Sequence, residues 1–412
     1  MMRVAIVLIA LLTGLLARAY EMTLEQCVDS ALLHSPRLQA ASLEVDRARI
    51  MRSTAFDPPN TEVTLKQETT GGGGPENGVY FGQEFDFPTK YVARYKSLAA
   101  QGDLAATRHS QQAVEVRREV SELDYSMLYS RELLRLNAEL GAVYSDFCNV
   151  AEIRLREGDA GQLELMNARR VSEKNMLDGQ QELTAYRNLQ LEMERLTGIA
   201  DVDPAGTFET RHAVSLREDG AAGVDSLDFA SSAAGRVAAA EVAVADREYF
   251  LARHDVLPSI RLGATVQALI KSFNPYHIER LPFEKGNFMG FEVGITVPLF
   301  FGATSARIKA ADVDRRISLL NMQTAETLAL SESERLRSEL ASVSNRLIYY
   351  KESALPQAAE IERIAKVSYE LGDISYVEYI SNMETVYEIY REYAAAVNTY
   401  NQTLLLLEAI FW

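Results

Sequence analysis

Residues 155–166 read LREGDAGQLELM, and residues 369–380 read YELGDISYVEYI. Gly158-Asp159 of the first stretch becomes Gly372-Asp373 of the second, and Glu164 becomes Glu378, at a constant offset of 214 residues. A glycine that ends one helical run, followed by a polar restart, is ordinary helix-closing and helix-opening chemistry. Each stretch therefore reads as a turn between two antiparallel helices. Upstream of the first turn, Lys90 to Arg156 holds no proline, and its only glycines are Gly102 and Gly141. Upstream of the second, Ser305 to Glu370 is of similar length and is interrupted only by Pro356. A helix of that size would be roughly 100 Å long.

The first long run and the run after the second turn carry apolar residues at helical spacing. In the first, Ala113, Val116, Val120, Leu123, Met127, Leu134, Tyr144, Cys148 and Leu155 recur at three- and four-residue steps, with Ser130, Asn137, Gly141 and Ala151 completing the series. After the second turn, Ile380, Met383, Tyr387, Tyr390, Ala394, Val397, Asn401, Leu404 and Phe411 do the same. This is a heptad seam for helix-on-helix packing with a left-handed supercoil.

Four shorter stretches change period from about 3.5 to 2. NTEVTLKQET (60–69) places Thr61, Val63 and Leu65 opposite Glu62, Thr64 and Lys66. VYFGQEFDF (79–87), IRLGATVQAL (260–269) and GFEVGITV (290–297) alternate in the same way, with charged or small residues on one face. A strand of a soluble sandwich gives the same alternation. Four of them in two hairpins, with charges repeatedly on one side, suit a wall between lipid and water. The first hairpin loop is short and glycine-rich. The second, 271–287, is long and aromatic.

The ends and the composition narrow the class. The N-terminus, MMRVAIVLIALLTGLLARAY, has a basic start, an apolar centre and the small-x-small triplet Ala17-Arg18-Ala19, which predicts a signal peptide over 1–19. No other run of ~18 apolar residues exists, so no transmembrane helix is predicted. The net charge of −16 becomes −18 when Arg3 and Arg18 are removed. That argues against nucleic acid as a partner. Cys27 and Cys148 are too few for a disulfide framework and are expected to be free and buried. The five histidines, His34, His109, His212, His254 and His277, show no metal-ligand spacing. There is no phosphate-binding glycine loop, and no cofactor, metal or catalytic residue is assigned. Glu164 and Glu378 hold equivalent places in two repeats, which favours structural, ring-forming acids over a hydrolytic pair.

The chain thus divides into a first repeat (20–197), a Gly- and Asp-rich linker (198–225) and a second repeat (226–412), the repeats also sharing ARYK (93–96) and ARIK (306–309) at an offset of 213. The predicted fold class is mainly α with a β-barrel part. Each repeat is a long helical hairpin plus two strands.

Over nearly all of the mature chain this pattern resembles the TolC-type outer membrane factor family. The resemblance is carried by MTLEQCVDSALLHSPRLQAA (22–41), by FDPPNTEV (56–63) and LPSIRL (257–262) ahead of the strands, by VPLFFG (297–302) after them, and by the two Gly-Asp turns. GQEFDFPTKYVAR (82–94) is similar to the heavy-metal branch, the CzcC and CusC types. The resemblance implies a homotrimer with a shared 12-stranded barrel in outer membrane lipid and a periplasmic helical tunnel. It implies a passive exit duct of a tripartite efflux or type I secretion system, working with a periplasmic adaptor (membrane fusion) protein and an inner membrane pump. It assigns adaptor docking to Leu155, Gly158, Asp159, Leu163, Gly372 and Val377, and the pore gate to Tyr369, Asp373 and Glu378. Where TolC itself, the member that gives the family its name, has an arginine two residues after the second turn's glycine, this chain has Ile374. A soluble periplasmic coiled-coil protein and a stand-alone porin are the alternatives; the first would lack lipid-facing strands, the second the long helices.

Overall fold

A computed structural model describes residues 20–69, 75–158, 161–211, 228–267 and 288–412. The predicted signal segment, most of both hairpin loops, Asp159 and the linker from 212 on lie outside the described residues. The elements run β1 (Tyr20–Met22), α1 (Leu24–His34), α2 (Pro36–Arg52), β2 (Glu62–Thr69), β3 (Pro75–Phe85), α3 (Pro88–Glu157), α4 (Gln162–Thr197), β4 (Val202–Pro204), α5 (Ala233–Arg253), β5 (Ser259–Gln267), β6 (Phe288–Thr296), α6 (Phe301–Tyr349), a π-turn (Tyr350–Ala354), α7 (Leu355–Leu371) and α8 (Tyr376–Ala409). None of the described helices is long and apolar enough to cross a membrane. Two compact units are formed, and each draws on both halves of the sequence. The strand unit comprises Ala41–His109 and Gly235–Ala325; the helical unit comprises the described residues up to Ala40, Ser110–Ala234 and Glu326–Trp412.

In the strand unit the two hairpins join into one antiparallel sheet of order β2-β3-β5-β6. β3 pairs with β5 through Phe81↔Ala264 and Gly82↔Gly263, so the apolar faces of all four strands coincide. Val63, Leu65, Phe81, Leu262, Val293 and Ile295 stand exposed on that face, and Phe291 is 90% exposed. The opposite face carries Glu62, Lys66, Glu84, Arg261 and Glu292. Where β3 turns into α3, Asp86 takes both Lys90 (3.0 Å) and Arg94 (3.0 Å), and Lys90 reaches Asp255 (3.4 Å). Asp86, Lys90 and Arg94 of this knot lie within the GQEFDFPTKYVAR stretch.

In the helical unit, α1 opens with the capping box expected from the sequence. Thr23 Oγ1 accepts from the Gln26 amide and Gln26 Oε1 accepts from the Thr23 amide. Val116, Val120, Leu123 and Met127 of α3 pack with Cys27 and Val28 of α1 and Met193 of α4. Cys27 is fully buried, but Cys148 is only half-buried, because its seam position lies toward the open tip of the hairpin. The α8 seam is buried as predicted, against Leu336, Val343 and Leu347 of α6 and against α3. Heptad spacing in the sequence predicts a single seam on α3. The helix has a second one: Leu136, Leu140 and Phe147 pack against Ile380, Met383 and Tyr387 of α8.

Two polar features distinguish the hairpins. In the α3–α4 pair, Asn137 Nδ2 donates to the Asn175 carbonyl (3.2 Å) and Asn175 Nδ2 to the Asn137 carbonyl (3.2 Å). Each asparagine packs where the other helix has a glycine four residues further on, Gly179 or Gly141. This reciprocal pair fixes one antiparallel register, as buried polar seam residues do. Level with it in the repeat, the second hairpin has the π-turn instead. From Ala93 to Gly158 the chain advances 65 residues, and from the equivalent Ala306 to Gly372 it advances 66. The π-turn absorbs that extra residue without rotating the seam on either side. It also frees the carbonyl four residues before Pro356, so the proline does not break the helix.

Asp124 on α3 is only 5% exposed, near Cys27 and Arg131. Arg131 donates to the carbonyls of Pro204 and Gly206. Burial raises the Asp124 carboxyl to about 6, offset in part by Arg131. A carboxyl raised in the folded state binds its proton more tightly there than in the unfolded chain. Its contribution to stability is therefore present below pH ~4 and lost as pH rises through 6. Acidifying from pH 7.5 to 5 is expected to raise the thermal midpoint of the helical unit, by an amount corresponding to at most roughly 3 kcal/mol. Asp124→Asn should flatten that dependence and raise the midpoint at pH 7.5. Calorimetry at the two pH values for both proteins checks this; an unchanged slope in the variant contradicts it.

Candidate functional site: the two Gly-Asp turns

Both turn glycines have left-handed backbones, Gly158 at φ 86° and Gly372 at φ 79°. The Gly372 amide donates to the Tyr369 carbonyl (3.0 Å) and the Asp373 amide to the Ser368 carbonyl (2.8 Å). These bonds close the end of α7 in a Schellman arrangement. At the first turn the Gly158 amide reaches the Leu155 carbonyl (3.3 Å). Nothing lies within 4 Å of a β-carbon placed on either glycine, so their requirement is conformational and not spatial.

The acids that match across the repeat do different work. Glu378 completes a capping box at the start of α8: its carboxylate accepts from the Ser375 amide (2.9 Å) and hydroxyl (3.0 Å). Those bonds hold its carboxyl below the usual range, so it stays ionised. Glu164, whose helix is capped by Gly161 without a side-chain bond, pairs with Arg154 of α3 (2.7 Å).

Below the turns lies an aromatic stack. Tyr369 packs edge-on against Tyr376 (4.9 Å) and face-on against Tyr379 (5.1 Å), and Tyr376 stacks on Phe147 of α3 (4.3 Å). Tyr376 donates to the Val143 carbonyl (3.3 Å), and Tyr144 donates to Glu384 (2.8 Å). Burial pushes the Tyr369 and Tyr376 hydroxyls up, so both remain neutral donors. The stack ties the second hairpin to the first.

Of the residues assigned from the sequence, Leu163 (72% exposed) and Val377 are well exposed, Gly158, Gly372 and Asp373 are exposed, and Leu155 and Tyr369 are half-buried. Asp159 lies outside the described residues. Leu371 (72% exposed), Met166 and Ile153 join the apolar rim and were missed. Leu371 was hidden because its repeat equivalent is the acid Glu157. Among the described residues no group of three or more His, Cys, Asp or Glu could hold a metal ion.

No curated protein matches the chain by sequence. Residues 230–411 match the family model described as outer membrane efflux protein. Among solved structures, the chain superposes on CusC with a TM-score of 0.74 at 16% identity, covering 95% of this chain and 92% of CusC. The outer membrane protein VceC of Vibrio cholerae gives 0.73 at 15% identity, covering 94% and 95%. The MtrE outer membrane channel of Neisseria gonorrhoeae, in its open state, gives 0.71 at 14% identity, covering 94% and 88%. The second half of this chain carries the sequence pattern of the outer membrane efflux protein family, and the chain as a whole has the fold of the TolC-type outer membrane channels.

Proposed function

We propose that the protein is the outer membrane exit duct of a tripartite efflux system, a passive conduit served by an inner membrane pump through a periplasmic adaptor. One observation carries most of this reading. The sheet has four strands, with β2 and β6 as its outer edges and an apolar face turned outward. Sheet edges exposed to lipid are not tolerated, and four strands enclose no lumen. Copies of the chain must close the sheet, and cyclic symmetry is the usual way. Three copies give the 12-stranded barrel. In this reading the first repeat spans 20–197 and the second 226–412, and the helical hairpins build the periplasmic tunnel. Leu155, Gly158, Asp159, Leu163, Gly372 and Val377 dock the adaptor, an assignment supported by the exposure of Gly158, Leu163, Gly372 and Val377. Tyr369, Asp373 and Glu378 lie at the gate. The similarity of residues 82–94 to the heavy-metal branch favours metal cations over drugs as cargo. The test is conductance: purified protein added to planar bilayers should give uniform, long-lived channels. Failure to conduct from an assembled, membrane-inserted protein would refute the reading.

Three copies of Glu378 would form an anionic ring that favours cations. Glu378→Gln separates charge from structure, because glutamine also completes a capping box. The variant is expected to fold normally and to lose cation preference at low salt, with the difference shrinking near 1 M salt as screening sets in. Reversal potentials across a salt gradient measure this. An unchanged potential would place Glu378 away from the constriction.

A further inference from the structure

On the charged face of the sheet, four strands meet at one level in the row Glu62, Gly82, Gly263, Glu292. The two glycines are cross-strand partners, and Tyr80 is two residues before Gly82 on the same face. A tyrosine at such a position would ordinarily stand away from the sheet, as strand side chains do. Here it does not: Tyr80 is only 8% exposed. A β-carbon on Gly82 would sit 2.7 Å from Tyr80 Cε1, and one on Gly263 would sit 2.7 Å from its hydroxyl oxygen and 2.8 Å from Cε2. The ring therefore lies down over both glycines, in the space where two side chains would be. Lys66 of β2 covers it, with Nζ 5.4 Å from the ring centroid. Glycine weakens a strand unless something needs the space, and an aromatic ring laid over it is a known compensation.

We propose that the Gly82–Gly263 pair is a slot that holds Tyr80 flat against the lumen wall and thereby sets the bore of the barrel. This rests on the reading of the charged face as lumen. In a trimer the slot occurs three times at one level. With side chains at the two glycine positions, three phenol rings would stand off the wall into the passage. With glycines there, the rings lie parallel to the wall and leave the passage wide. Tyr80 and the two glycines thus act on solute size, while Glu62 and Glu292 of the same row act on charge. The slot lies in the strand unit and is independent of the gate residues at the turns.

The test uses full-length trimers in planar bilayers and four proteins: wild type, Gly263→Val, Tyr80→Ala and the double variant. Valine suits a strand, so Gly263→Val leaves pairing intact while displacing the ring. Two quantities are read: single-channel conductance, and the largest neutral polymer that enters when added on the outer side, which samples the barrel and not the periplasmic gate. Gly263→Val is expected to lower conductance about twofold and to shrink the polymer cut-off. Tyr80→Ala should leave both equal to or above wild type. The double variant should recover the wild-type values, which a general folding defect would not do. Gly263→Ala, with one methyl group, takes the place of valine if the latter blocks assembly. Unchanged conductance and cut-off in the glycine variants, or a loss that persists in the double variant, would overturn the proposal. A wild-type trimer that never conducts would instead refute the channel reading.

Discussion

Export by cells carrying Gly372→Val is expected to fall at least about tenfold while trimers still assemble, and Gly158→Val is expected to act in the same direction. Both glycines sit at positive φ with open space around the β-position. A valine would meet no clash there, only the cost of a left-handed backbone on a β-branched residue, about 1–3 kcal/mol. The turn would escape that cost by reshaping. At Gly372 this breaks the bonds to the Tyr369 and Ser368 carbonyls and moves Leu371 and Val377, which flank the turn. Every 1.4 kcal/mol is a factor of about ten in an equilibrium, so docking or gating suffers even when the fold survives. Asparagine tolerates the left-handed region. Gly372→Asn should therefore retain most export, and it distinguishes backbone strain from loss of the glycine itself. Accumulation assays on the glycine, asparagine and valine forms decide the matter. Equal export by all three would remove the turn from the mechanism.

The second large effect concerns Gly179, where the expected sign is the reverse of the usual one. Glycine to alanine inside a helix normally stabilises by about 1 kcal/mol. At this position the added methyl group would strike Asn137 Nδ2, which is buried and donates to the Asn175 carbonyl. Displacing it leaves a buried amide without its partner, at a cost of about 1–3 kcal/mol. Gly179→Ala should thus lower the thermal midpoint of the protein by several degrees. Adding Asn137→Ala to that background should bring part of it back, because the displaced group is gone. A stabilised Gly179→Ala protein would show that the reciprocal asparagines do not fix the register.

What was legible in the sequence was set by periodicity and by turn chemistry. The helix seams, the four strands and the two glycine turns all follow from local spacing, and the structure has them. The joining of the hairpins through β3 and β5 was not legible, because alternation says which face a residue takes and not which strand lies beside it. The second α3 seam was hidden because Leu136, Leu140 and Phe147 fall between positions already assigned to the first. Asn137 and Gly141 were visible as steps in a seam, but their role depends on Asn175 and Gly179 in another helix. Pro356 was read as an interruption. The one-residue difference between the 213 and 214 offsets signals the π-turn that accommodates it. At the turns, Glu164 and Glu378 look alike in sequence, and their different partners, Arg154 and Ser375, separate them.

In the proposed exit duct, this chain closes its sheet only with copies of itself in a membrane. Native mass measurement of the protein extracted from outer membranes in detergent tests it most directly. A single species at three times the mass of the processed chain, absent from the soluble fraction, is expected. A monodisperse monomer recovered without detergent would contradict it.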